Sequence, residues 1–310
     1  MTVADATARP AQEVQVFYDD SYCASHCVFD TTRKAALLVE DLDRRLLPGI
    51  VMRSPMPASP TDLERIHDPA YVSALLHGTP DGLARSSGLG WDLDHARAVL
   101  ASTGGCIDAA RSAWRRGIAG TLSSGLHHAR RDRGVGYCTV NGLALAALTF
   151  LDLGAERVLI VDLDAHCGGG TADTVGGDAR ITAIDISTST FDGYDPPTDW
   201  SLDIIVEPYD YLATVEERLA AVPPGSVDAV VYNAGMDPHE RCAIGGLDGI
   251  TDSVLATREQ LVFDFAADRR LPIAFALAGG YSQFPMGPDH LTALHRLTIE
   301  AAARSAEDRA

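Results

Sequence analysis

The chain predicts an α/β fold built on a single parallel sheet flanked by helices on both faces. Three observations carry that expectation. Short β-branched apolar runs alternate with longer helical patterns, no repeat or low-complexity linker divides the 310 residues, and polar residues gather just past the ends of the apolar runs. Strands are expected over Val14–Tyr18, Ile118–Leu122, Val158–Asp162, Ile181–Ile186, Val227–Tyr232 and Ile273–Ala278. Such continuous Val- and Ile-rich runs suit strands covered on both sides. Helices are expected over Ala96–Arg116, Gly142–Leu153, Val254–Ala267 and Leu291–Ala303, where apolar residues recur at three- and four-residue spacing. Pro48–Pro60, Gly82–Gly90 and Asp192–Trp200 read as surface loops.

Met1–Ala11 lacks the basic start and apolar centre of a secretory signal and is expected to be a mobile tail, leaving residues 12–310 as one domain. With 46% hydrophobic and 22% charged residues the chain is globular rather than disordered, and no apolar run reaches the roughly 20 residues of a membrane span. Six cysteines without a CxxC pair point to reduced thiols and a cytoplasmic setting. A net charge of −18 argues against nucleic acid or an anionic membrane as partner and favours a cationic or neutral substrate.

In parallel α/β sheets, sites assemble beyond the carboxyl ends of the strands. Four such ends here carry unusual chemistry: Ser123-Ser124-Gly125-Leu126-His127-His128, Asp162-Leu163-Asp164-Ala165-His166, Asn233-Ala234-Gly235-Met236-Asp237 and Gly279-Gly280-Tyr281. Asp162, Asp164 and His166 are spaced by two, so continued strand geometry sends all three to one face. Two of them can then share one ion, with Asp237 as the third ligand. Two carboxylates and one imidazole leave coordination positions open, the layout of a catalytic rather than a structural metal site. Taken singly, Asp164 or His166 reads more simply as a strand-end ion pair or turn cap. The coincidence of four strand ends favours the metal. Beside a metal, one of His127 and His128 can take a proton and the other can orient or donate. Tyr281 follows two glycines that allow close backbone approach, leaving its hydroxyl to donate to a carbonyl oxygen.

These segments together resemble the histone deacetylase family. Gly125-Leu126-His127-His128-Ala129 with Gly136-Tyr137-Cys138-Thr139-Val140-Asn141 resembles its paired-histidine segment, and Asp162–His166 with Cys167-Gly168 resembles its ligand strand. Ala234-Gly235-Met236-Asp237 resembles its third-ligand turn and Ala278-Gly279-Gly280-Tyr281 its tyrosine loop, with fainter likeness over Leu63–Leu76. The resemblance implies an arginase- and deacetylase-like fold and zinc held by Asp164, His166 and Asp237, with iron or cobalt as alternatives. It also implies that Asp162 supports His127, that His128 activates water, and that Tyr281 stabilises the oxyanion. Gly136 and Tyr137 would wall a narrow tunnel, with Phe191 or Tyr194 opposite. The implied activity is removal of an acyl group, acetyl foremost, from an amine such as acetyl-lysine in a peptide, an acetylpolyamine or a secondary-metabolite intermediate.

Three departures surround the site. Cys167 stands where the family usually has a second histidine, and Gly169 stands where it often has an acid or amide, so His128 lacks its usual partner and is expected to be neutral near pH 7. His239-Glu240-Arg241-Cys242 replaces small and acidic residues. Asp185 stands where the family often has serine near a monovalent cation, which leaves potassium open. Asp92 and Asp94 are candidates for the loop acid that grips the peptide backbone in protein deacetylases of this family. Two other readings compete. A ureohydrolase with two manganese ions would need a further carboxylate at Gly168, and a silent acyl-amine-binding homologue would be expected to lose Tyr281 or a ligand.

Overall fold

Eight strands form one sheet in the computed structural model, which describes residues 13–23 and 33–309. The tail expected over residues 1–11 lies outside them. The strands are β1 (Val14–Phe17), β2 (Ile50–Arg53), β3 (Ile118–Thr121), β4 (Val158–Asp162), β5 (Ile181–Ser187), β6 (Ser201–Ile204), β7 (Ala229–Gly235) and β8 (Ile273–Ala278). They lie in the order β2-β1-β3-β8-β7-β4-β5-β6, and every pairing is parallel. All carboxyl ends therefore share one edge, as the strand-end chemistry required.

Side-chain alternation along β4 shows how both faces are covered. Val158 and Ile160 pack into a core with the helices Leu93–Arg116 and Gly142–Asp152. Leu159 and Val161 join the opposite core, which includes Leu255, Val262 and Phe263 of the helix Asp252–Asp268 and Leu291, Leu294 and Ile299 of the helix Pro288–Asp308. A strand whose successive residues point to opposite faces, both apolar, must read as an unbroken hydrophobic run.

The four expected helices are present, three with ends extended by up to five residues and Gly142–Asp152 ending one residue earlier. The outermost strands, β2 and β6, were not expected. Ile50–Arg53 falls inside the proline-rich stretch read as a loop, and Ser201–Ile204 is short and half polar. An edge strand needs only one ladder partner and little burial, so its sequence carries a weak signal. Among the described residues no helix is long and apolar enough to cross a membrane.

Candidate active site

The site begins with the register of β4 and β7, which sets Asp162 opposite Asn233. Two residues further on, the backbone of Asp164 lies so close to Gly235 that a Cβ there would sit 2.4 Å from the Asp164 Cα. The ligand turns after the two strands thus interlock. Asp164, His166 and Asp237 come together with donor atoms within 4.8 Å of one another. The backbone holds the carboxylates: the amide of Ala165 donates to Asp237 Oδ1 at 2.9 Å and that of His166 to Asp164 Oδ1 at 3.0 Å. His166 turns Nδ1 toward both acids, 3.0 Å from Asp164 Oδ1 and 3.1 Å from Asp237 Oδ2. Gly279 makes room for this arrangement. Its φ of +41° is in the left-handed region, and a Cβ on it would lie 2.2 Å from Asp237 Oδ1.

These residues fit a divalent metal. Asp237 Oδ2 is buried and receives no well-directed hydrogen bond, although a buried carboxylate oxygen ordinarily has a donor. Burial and the charge of Asp164 push the Asp237 carboxyl up to about 6, a conflict that a cation between the two acids relieves. A second group, His239, Asp252 and His290, also has converging donors but does not fit. The amide of Arg241 donates to His239 Nδ1 at 3.1 Å, so the proton of a neutral ring is on Nε2, which donates to Asp252 at 2.8 Å. That nitrogen has no lone pair for a metal.

The paired histidines diverge in environment. His127 Nδ1 bonds to Asp162 Oδ2 at 2.8 Å, and its Nε2 lies 3.4 Å from Asp164 Oδ1. Asp162 is itself held by the Asn233 amide at 2.7 Å. Burial opposes charge on His127, but the carboxylates of Asp162 and Asp164 outweigh it and raise the imidazole to about 10. His128 stacks beside His127 with ring centroids 4.0 Å apart. Burial first, then the positive charge of His127, lowers His128 to about 4. The reason expected for its neutrality, the want of an acidic partner, does not hold. His128 does have a carboxylate partner, since Nδ1 bonds to Asp192 Oδ2 at 2.9 Å.

Asp192 begins the expected surface loop, yet its side chain is 5% exposed and also pairs with Arg130. The acid missing at Gly169 was the one sign that another must come from elsewhere. Phe191 stands edge-on to both His128 and His166, with centroids 5.1 and 5.8 Å away. Of the two candidates for the opposite wall it is the one beside the histidines, since the Tyr194 hydroxyl instead donates to Asp185 at 3.1 Å. Gly136 lies opposite, where a Cβ would sit 2.7 Å from His128 Cδ2 and 3.3 Å from the Phe191 ring. Tyr137, next in the chain, is half-exposed.

Tyr281 is buried, and its hydroxyl pKa is raised by burial and by the charges of Asp237 and Asp164. It is therefore a neutral phenol near pH 7, close enough to both acids to feel their charge. The carbonyl of Gly279 in its loop accepts from Lys34 Nζ at 3.2 Å. The altered stretch 239–242 braces this loop, because Arg241 Nη2 donates to the carbonyl of Pro285 at 2.6 Å. Asp185 accepts from the Gly168 amide at 2.7 Å, the Ser187 hydroxyl at 2.8 Å and Tyr194. Asp92 caps the helix Leu93–Arg116 through the amide of His95, and Asp94 pairs with Arg97, so each has a local structural role.

Residues 28–199 match the family model of the histone deacetylase domain. An uncharacterised protein of Picosynechococcus sp. is 34% identical over 230 residues, covering 71% of this chain and 75% of that protein. Histone deacetylase 2 of Arabidopsis thaliana is 28% identical over 307 residues, covering 88% of this chain and 76% of that protein. Among solved structures, an acetylpolyamine aminohydrolase from Burkholderia pseudomallei superposes with a TM-score of 0.76 at 18% identity, covering 93% of this chain and 98% of that one. The HDA15 HD domain does so with a TM-score of 0.73 at 18% identity, covering 96% and 94%. These two establish a shared fold. The match over residues 28–199 and the 34% identical relative show that the chain belongs to the histone deacetylase domain family.

Proposed function

We propose that this protein is a metal-dependent deacylase that hydrolyses the amide of an acylated amine, with acetyl as the first candidate acyl group. Family membership supports deacetylase chemistry, and names among the relatives and structural neighbours cover both histone deacetylases and an acetylpolyamine aminohydrolase. The observation that carries the reading is the convergence of Asp164, His166 and Asp237 beneath a histidine pair with opposed charge preferences. A divalent ion held by these three residues, zinc foremost and iron or cobalt as alternatives, supplies the Lewis acidity for amide hydrolysis.

The chain's own groups account for the proton movements. His128 donates Nδ1–H to Asp192 and so presents the Nε2 lone pair, which accepts a proton as water adds to the carbonyl carbon. The Tyr281 hydroxyl donates to the oxygen that becomes negative. His127, kept protonated by Asp162 and Asp164, stabilises that charge and assists protonation of the departing amine nitrogen as the C–N bond breaks. The products are a carboxylic acid and the free amine. Phe191, Gly136 and Tyr137 form a wall suited to a slender chain carrying the amide, and the net charge of −18 suits a cationic amine.

A panel of an acetyl-lysine peptide, N-acetylputrescine and longer acyl-lysines, assayed with zinc-loaded and metal-stripped protein, tests this reading. Zinc-dependent release of acid from at least one of them is expected. Equal turnover by the stripped protein, or no turnover of any with zinc bound, would overturn it.

A further inference from the structure

His128 takes its carboxylate from the loop after β5, and the space that admits it is Gly169. A Cβ on Gly169 would lie 2.4 Å from the main-chain oxygen of Asp192 and 2.7 Å from its Cγ and Oδ1. Any side chain at residue 169 therefore competes with Asp192 for one volume. Arg130 closes the other side, donating from Nη1 to the Gly169 carbonyl at 3.2 Å and from Nη2 to Asp192 Oδ1. Asp192 adopts φ +61°, a left-handed conformation that aspartate tolerates better than most residues. Its two oxygens are thus divided, Oδ1 to Arg130 and Oδ2 to His128 Nδ1.

We propose that Asp192, seated by Gly169 and Arg130, is a positioning residue that fixes the tautomer and ring orientation of His128. The inference rests on the hydrolase reading above only for its effect on turnover. The geometry gives it a separate consequence. With Nδ1–H bound to a carboxylate, the proton of neutral His128 is confined to Nδ1, whereas a free imidazole distributes between both nitrogens. A carboxylate supplied from a different segment does the same work as one three residues after His166, provided that residue 169 is left without a side chain.

The test uses zinc-loaded protein labelled with ¹⁵N-histidine, His128 being assigned by His128→Gln. In the unsubstituted protein His128 should show one protonated nitrogen, Nδ1, and one bare nitrogen, Nε2. Asp192→Gly, which suits the backbone angle, should give averaged shifts. It should also lower kcat on an acetyl-lysine aminocoumarin peptide by about 10- to 100-fold, as loss of a supporting shell typically does, with little change in KM. Asp192→Asn keeps an acceptor oxygen and should retain the tautomer. Gly169→Ala should reproduce the defect of Asp192→Gly by displacing the loop, and the double variant should be no worse than Asp192→Gly alone. An unchanged His128 spectrum with near-normal kcat in Asp192→Gly overturns the proposal, as do losses that multiply in the double variant. Zinc content and unfolding midpoint separate these outcomes from misfolding. Failure of the unsubstituted protein to cleave the peptide counts against the hydrolase reading, while the His128 spectrum still decides the role of Asp192.

Discussion

Arg258 Nη1 donates to the carbonyl of Gly235 at 2.6 Å, and the same nitrogen reaches the carbonyl of Leu163 at 3.2 Å. Leu163 immediately precedes the candidate ligand Asp164, and Gly235 stands two residues before Asp237. One guanidinium thereby ties together, from behind, the two turns that carry the candidate metal ligands. It is fully buried, and the adjacent Glu259 balances its charge while accepting from Tyr232 at 2.8 Å.

Removing that clamp should be costly. Arg258→Met leaves Glu259 as an unpaired buried carboxylate, and breaking such a pair typically costs about 3–5 kcal/mol. Urea unfolding should register that loss, with part of it regained in Arg258→Met/Glu259→Gln. Zinc affinity should stay weakened in both variants, because neither restores the link between the turns. A double variant with normal zinc affinity would show that the turns hold themselves.

Loss of Asp237 should remove both metal and activity. Asp237→Ala deletes one of the three donors and also frees the Ala165 amide that it anchors. Zinc content and turnover should fall together, whereas His128→Ala should retain the metal and lose turnover. An active Asp237→Ala protein without metal would reject the ligand assignment.

For Tyr281 the informative change is to phenylalanine, which keeps the ring and removes the donor. Turnover should drop about a hundredfold to a thousandfold, the usual cost of one oxyanion donor, while the unfolding midpoint stays near that of the unsubstituted chain. A variant with unchanged kcat would assign oxyanion stabilisation to another group.

Acid stability should report on His67. Its Nδ1–H donates to the Arg130 carbonyl at 2.7 Å and its Nε2 accepts from the Asn141 amide at 3.2 Å, bracing the segments on either side of Gly136 and Tyr137. Burial lowers this imidazole to about 4 from its ordinary 6.5, so between these values the unfolded chain binds the proton more readily than the folded one. Stability should therefore decline as pH falls from about 6.5 to about 4, by no more than about 3 kcal/mol from this residue. His67→Gln should be less stable at pH 7 and show a shallower acid slope. An identical slope in the variant would place the acid sensitivity elsewhere.

Much of this site was legible because its chemistry is local. Asp162 ends one strand with Asp164 and His166 within the next four residues, and the strands that bring Asp237 and Tyr281 alongside are short, largely apolar runs. What stayed hidden depends on contacts distant in sequence. Asp192 looks like a loop acid until Gly169 is seen to leave room for it, and Arg258 looks like an ordinary charge on a helix surface. Nor does Ile50–Arg53 announce itself as a strand, because its pairing with β1 lies in the partner rather than in its own four residues.

The Phe191 ring, edge-on to both His128 and His166, has a practical use. A single fluorine on that ring would sit in the local field of both imidazoles, and half-exposure leaves it open to whatever approaches them from solvent. 4-Fluorophenylalanine at position 191 makes the site its own magnetic-resonance beacon, able to register ion uptake and ligand entry without any reaction taking place.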